Sequence, residues 1–152
     1  MSGDAGSSAG GDEARTFFDA YIAAFNAGDA AAYAACFHPP VTSVPAPRPD
    51  GEGADQPLPT LDDPGAMLAR MPERWSHSTI DEVATLAELA APPDPDGARR
   101  VRGPRHGIVT TVTRWDTEGR PYQRIQALYL LDRRDGRLGI KVIAELSTVT
   151  LP

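Results

Sequence analysis

Few side chains in this sequence can move a proton near neutral pH, and they are scattered. The chain has three histidines (His38, His77 and His106), one cysteine (Cys36) and four tyrosines. The histidines lie far apart, with no H-x-H or H-E-x-x-H spacing and no second cysteine to join them, so no metal site is expected. No G-x-G-x-x-G, G-x-x-x-x-G-K-[ST] or G-x-S-x-G run occurs, and neither a bound cofactor nor a serine nucleophile has local support. What is left is acid–base chemistry without a cofactor. Tyr21 is a candidate to hydrogen-bond a substrate oxygen, and His77, two residues after Trp75, is a candidate to carry the proton. Each also has a plainer reading. A tyrosine on the buried face of a helix often serves packing alone, and a lone histidine is often a structural hydrogen-bonder. His38 falls at the end of a predicted helix, where an imidazolium is favoured with no function at all, and His106 opens a strand and is expected to be exposed.

The elements that must position these residues are clearest in the last third. HGIVTTVTRW, YQRIQALYLLD and LGIKVIAELSTVTL read as three strands joined by DTEGRP and RRDGR, turns that carry Gly beside Asp or Glu. A meander of this length has a face that must be covered, and the helical N-terminal half is there to cover it. Asp12 is placed to cap a helix from Glu13 to Ala27 that ends at Gly28, with Phe18, Ile22 and Phe25 on one stripe beside Phe17 and Tyr21. Asp29 is placed to cap a second helix, Ala30 to Phe37, which Pro39 and Pro40 would end. Val41 to Val44 is a short strand candidate, and the Pro/Gly-rich run from Pro45 to Pro59 a surface loop. Asp63 and Pro64 start a third helix with Met67, Leu68 and Met71 at core spacing, closed by Pro72. Ser78 to Leu89 fits two periods. Thr79 with Glu82 resembles a capping box, yet the segment also alternates; local signals alone lean to helix. Ala91 to Pro104 reads as loop.

With 152 residues, 41% of them hydrophobic and 24% charged, the sequence is sized for one domain with one core. A formal charge of −6 and a pI near 5.0 argue against nucleic acid or an anionic membrane as partner. The one basic cluster, Arg99, Arg100, Arg102 and Arg105, reads as a solvated loop. A single cysteine precludes an internal disulfide and suits the cytoplasm, and no apolar run is long enough to span a bilayer. Residues 1–11 lack a signal-peptide pattern and read as a disordered leader, leaving 12–152 as the domain.

FFDAYIAAFNAGDAAAYAACF, an aromatic helix followed by an NAGD turn and a second helix ending in Phe, resembles the start of nuclear transport factor two-like domains. That superfamily includes ketosteroid isomerases, scytalone dehydratases, limonene epoxide hydrolases and SnoaL-like cyclases. ALYLLDRRDGRLGIKVI resembles its final hairpin, and WSHSTID with TRWDTEG is similar to a bacterial branch of it. The resemblance spans Asp12 to Leu146. It implies an α+β, cone-like fold in which a curved antiparallel or mixed sheet wraps three N-terminal helices. It implies a pocket in the concavity that suits a small hydrophobic or polyketide-like ligand, and a homodimer through the outer sheet face. It also implies a strand, not a helix, for Ser78 to Leu89.

On this resemblance the isomerase tyrosine falls on Tyr21, but the catalytic base falls near Pro45 and the second acid near Ala127. Neither residue can exchange a proton, which argues against that mechanism. The pocket lining it implies is Phe18, Tyr21, Phe25, Trp75, His77, Thr113, Ala127, Tyr129, Ile143 and Glu145. An epoxide-hydrolase cluster would need a carboxylate beside Arg114. Asp81 and Glu145 approach only if their strands turn them inward, and the plainer expectation puts Arg114 on the outer face. The last strand is ambiguous in phase. Amphipathicity turns Leu138, Ile140, Val142, Ala144 and Leu146 inward, whereas the resemblance turns Lys141, Ile143 and Glu145 inward. Three readings of the whole follow: a pocket protein that binds such a ligand without catalysis, a cofactor-free lyase, isomerase or cyclase using Tyr21 and His77, or a non-catalytic structural or partner-binding dimer with a filled core.

Overall fold

A computed structural model of the chain describes residues 7–46, 50–51, 58–89 and 105–152. Helix α1 spans Ser7–Ala27, α2 Ala30–Ala34, and a 3₁₀ helix Pro64–Arg70. The strands are β1 Phe37–Val44, β2 Thr60–Leu61, β3 Trp75–Leu89, β4 Arg105–Asp116, β5 Pro121–Arg134 and β6 Arg137–Thr150. They form one curved six-stranded sheet in the order β2-β1-β6-β5-β4-β3, antiparallel throughout except where β1 runs parallel to β6. The α+β arrangement expected from the sequence is present, with the helices on one side of the sheet.

Hydrophobic burial explains the packing. Phe18, Tyr21 and Phe25 of α1 meet Tyr33, Phe37, Ile108, Tyr129, Leu131 and Ile140 in one core, with Phe18 edge-on to Tyr129 at 4.9 Å. Asn26 pins α1 to the sheet. Its amide donates to the Ser78 carbonyl at 2.8 Å and accepts from the Ser78 N–H at 2.8 Å. Asp29 caps α2 as expected, accepting from the Ala32 N–H at 3.0 Å. Both hairpin turns carry the positive φ their sequences announced, at Gly119 (78°) and at Asp135–Gly136 (51° and 75°).

Several expectations are corrected. Helix α1 begins at Ser7 rather than Glu13, inside the stretch read as leader, and continues through Gly10 and Gly11 despite their low helix propensity. Residues 1–6 lie outside the described residues, as do most of the Pro45–Pro59 loop and all of residues 91–104. Helix α2 stops at Ala34, and Phe37 and His38 belong to β1, which runs through the cis Pro39–Pro40 bond. The prolines are tolerated because the ladder to β6 is interrupted between Phe37 and Thr42, where no proline N–H is required. Burying Phe37 opposite Ile140 evidently outweighs another helical turn. The third helix is 3₁₀ rather than α. Ser78–Leu89 is strand, paired with β4 over its length, so the cross-strand ladder overrides its helical propensity.

The phase of β6 changes along its length. Ile140 faces Leu131 in the core, but Val142 pairs with Leu130, which leaves Lys141 as an extra residue. Beyond this bulge Ile143 pairs with Tyr129 and Glu145 with Ala127, both on the helix-facing side. Each sequence reading of β6 therefore holds over part of the strand, Leu138 and Ile140 before the bulge and Ile143 and Glu145 after it, and a second bulge at Leu146 shifts the phase once more. Lys141 itself donates to the His38 and Pro40 carbonyls, at 3.3 and 2.5 Å, across the gap in the β1 ladder.

Candidate ligand-binding site

Between α1 and the sheet lies a cavity of about 150 Å³. Its floor is aromatic. Tyr21 from α1, Tyr33 from α2 and Tyr129 from β5 converge, with the Tyr21 hydroxyl 3.2 Å from that of Tyr33 and 3.5 Å from that of Tyr129. All three are buried, and burial raises each phenol above its ordinary value. For Tyr21 the neighbouring phenols raise it further, whereas for Tyr129 hydrogen bonds and the Arg114 charge partly oppose the rise. The trio is thus un-ionised at physiological pH. Three hydroxyls joined by two contacts can use two protons among themselves, and the third O–H, beside the Thr110 hydroxyl, is the one a ligand oxygen could take.

The walls are mostly apolar, from Ile22, Phe25, Met67, Val112, Ile125 and Ile143. Two charged groups share them. Arg114 from β4 donates to the Gln123 Oε1 at 3.0 Å, and Glu145 from β6 accepts from the Thr148 hydroxyl. The strand pattern explains why Arg114 is inside. Ile108, Thr110 and Val112 face the helices in alternation, and Arg114 is next in phase. The expectation of an outer-face Arg114 is corrected accordingly. Among the described residues no carboxylate lies within 4 Å of its guanidinium, so it is not paired with Glu145 across the cavity.

Of the side chains the sequence nominated, Tyr21, Phe25, Ala127, Tyr129, Ile143 and Glu145 line the cavity. Phe18 and Trp75 buttress it, Phe18 against Tyr21 and Tyr129, and Trp75 against Phe25 at 5.2 Å with its indole N–H on the Ser78 hydroxyl. His77 and Thr113 lie on the other face of the sheet. His77 alternates with the inward Ser78 and stacks on Trp115, centroids 5.9 Å apart and planes 4° from parallel. Thr113 donates to Asp81 at 2.5 Å on that same outer side. Tyr21 and His77 are therefore separated by the sheet. Pro45 is exposed coil, and Ala127 is at the cavity wall. Sequence reasoning did not nominate Tyr33 or Ser78, and weighed Arg114 only as an epoxide-hydrolase centre before placing it on the outer face. Tyr33 was hidden by an overlong helix, and the other two by treating β3 and β4 without a phase.

His38 also departs from its expected place. It lies in β1 on the outer side, 4% exposed, with Nδ1 2.6 Å from Asp132 of β5. His106 is half-buried rather than exposed. Among the described residues no cluster of three or more His, Cys, Asp or Glu is placed to hold a metal, and no helix is long and apolar enough to cross a membrane.

Three solved structures bear directly on this architecture. The putative scytalone dehydratase of Novosphingobium aromaticivorans is similar at a TM-score of 0.60 and 13% identity, over 93% of this chain and 87% of that one. ActVI-ORFA of Streptomyces coelicolor gives 0.56 and 15%, over 91% and 95%. Rd1NTF2_04 with long sheet gives 0.51 and 18%, over 87% and 98%. The chain has the nuclear transport factor two-like fold. No protein-family model and no curated protein matches the sequence, so within this fold the likeness speaks to architecture alone.

Proposed function

We propose that this nuclear transport factor two-like chain binds a small, largely apolar molecule bearing an oxygen function, of phenolic or polyketide-like type. The observation that carries the reading is the phenol trio of Tyr21, Tyr33 and Tyr129, which offers a spare O–H at the floor of an apolar cavity. Burying three hydroxyls is costly unless they are used, and a ligand oxygen uses them. The fold likeness to a putative scytalone dehydratase agrees with such a ligand. Thermal-shift screening with oxygenated aromatic compounds tests the reading. A stabilising compound should lose its effect in Ala127→Phe, which fills the cavity, and bind about tenfold more weakly to Tyr21→Phe. Compounds that stabilise Ala127→Phe equally would overturn the assignment.

Glu145 supports a second reading, as a cofactor-free lyase, isomerase or cyclase. The carboxylate shares the cavity with the phenols, so it would take a proton while a phenol stabilises the oxyanion. Glu145 replaces His77 as the base in this scheme, since His77 lies across the sheet. Mass spectrometry of the recovered compound decides between the two, because binding returns it unchanged. A homodimer through the outer face is proposed as well. Half-buried Leu128, Leu130, Val142 and Ala144 and the exposed Leu146 and Val149 of β5 and β6 support it, and light scattering would show the mass.

A further inference from the structure

We infer that the cavity selects a monoanion, a compact carboxylic acid held by Arg114, with its hydrocarbon against the apolar walls and any distal oxygen at the phenols. The inference rests on the ligand-binding reading above and narrows it to one chemical class.

The argument starts from the donor count. A guanidinium offers five N–H groups in a rigid fork, and Arg114 commits one of them to Gln123 at 3.0 Å. That bond fixes the plane of the group and leaves further donors available. Among the described residues no carboxylate stands within 4 Å to take them, although Glu145 lines the same space. A fixed, planar cation in an apolar hollow matches the two oxygens of a carboxylate better than any single carbonyl. Its charge also reaches the floor, where it favours the ionised forms of Tyr33 and Tyr129. An anion held there would feel the same field.

Glu145 limits the choice. With one cation and one carboxylate the cavity wall is neutral overall, so a monoanion adds one negative charge and a dianion two. In a space lined mainly by apolar side chains the second charge finds no partner. Glu145 thus discriminates between acids, and removing its charge should strengthen the hold on all of them.

The test uses matched pairs: benzoate, para-hydroxybenzoate and trans-cinnamate, each against its carboxamide, with phthalate as the dianion, titrated calorimetrically into the full chain. The acids are expected to bind at least about tenfold more tightly than their amides. Arg114→Met should remove that preference, Arg114→Lys should keep part of it, and Glu145→Gln should tighten the acids and admit phthalate. A measurement on the unaltered chain guards against a variant that does not fold. Acid binding should weaken, and amide binding hold, as salt rises from about 0.01 to 1 M and the screening length falls from about 30 to 3 Å. Amides that bind as well as acids, and are excluded by Ala127→Phe, would overturn the monoanion inference and leave the cavity reading standing. If no member of any pair binds, both readings fall.

Discussion

Two of the places where this molecule buries polar side chains lie on opposite faces of one sheet, and they differ in what surrounds them. On the helix side Tyr21, Tyr33 and Tyr129 meet around a hollow. On the outer side His38 lies flat across β6 to reach Asp132 on β5 at 2.6 Å. The residue beneath the imidazole is Gly139, where a Cβ would sit only 2.5 Å from the ring. His38 Nε2 is buried without a hydrogen-bond partner, so this group too has unused capacity. Yet the cavities that the described residues bound beside α1, at the β5–β6 hairpin and on the outer face of β3–β5 do not include it. The pair works as a clasp, holding β1 parallel to β6 over the stretch where the proline-interrupted ladder cannot. Spare hydrogen-bonding capacity alone therefore does not make a site. Space beside it does, and of these two groups the phenols have it.

Damage to the clasp should cost stability and spare the cavity, whereas damage to the phenols should do the reverse. The largest effect is expected from Asp132→Ala, which strands a buried imidazole and should lower unfolding free energy by about 2–3 kcal/mol, read from the urea midpoint. Gly139→Ala forces the ring aside and should cost about 1–3 kcal/mol, with ligand affinity unchanged. If either substitution abolished binding while the chain stayed folded, the separation of the two faces would be wrong.

High pH attacks the other region. The raised phenols hold their protons in the folded chain after the unfolded chain has lost them. Above the ordinary value of 10.0 the unfolded state thus binds fewer protons, and stability must fall as pH rises. Phenolate absorbance should accordingly report Tyr21, Tyr33 and Tyr129 ionising together with unfolding. Gradual ionisation of all four tyrosines near pH 10 in the folded chain would contradict their burial. Tyr21→Phe should change stability by no more than about 1 kcal/mol while weakening ligand. The smallest effect is expected from His77→Ala, within about 0.5 kcal/mol and with no change in binding. A large loss of binding there would return the histidine to the site.

The parts legible in sequence were those where one local signal dominated. The three C-terminal strands and their turns were plain because β-branched runs were bounded by Asp-Gly and Glu-Gly steps. The aromatic stripe of α1 gave Tyr21 and Phe25 their inward placement. β1 was misread because two prolines normally end structure, and their tolerance depends on a gap in a ladder that only the parallel neighbour reveals. Ser78–Leu89 fitted both periods, so its partner β4 had to decide. At the site, Arg114 was in phase with Ile108, Thr110 and Val112 and was readable in principle. His77 was misplaced for the converse reason, since a bulge after Trp75 shifts the phase there and proximity in sequence says nothing of face. The His38–Asp132 clasp had no local signal, because it joins residues 94 apart.

Lys141 has one more implication, for how this cavity could drift. Shortening β6 by that single position would leave Ile143 and Glu145 pointing where they do now, and would restore plain alternation from Ile140 to Glu145. What would vanish is the tether from its ammonium to the His38 and Pro40 carbonyls. Descendants could thus discard the residue without altering what the hollow recognises, while loosening the border strand that adjoins it.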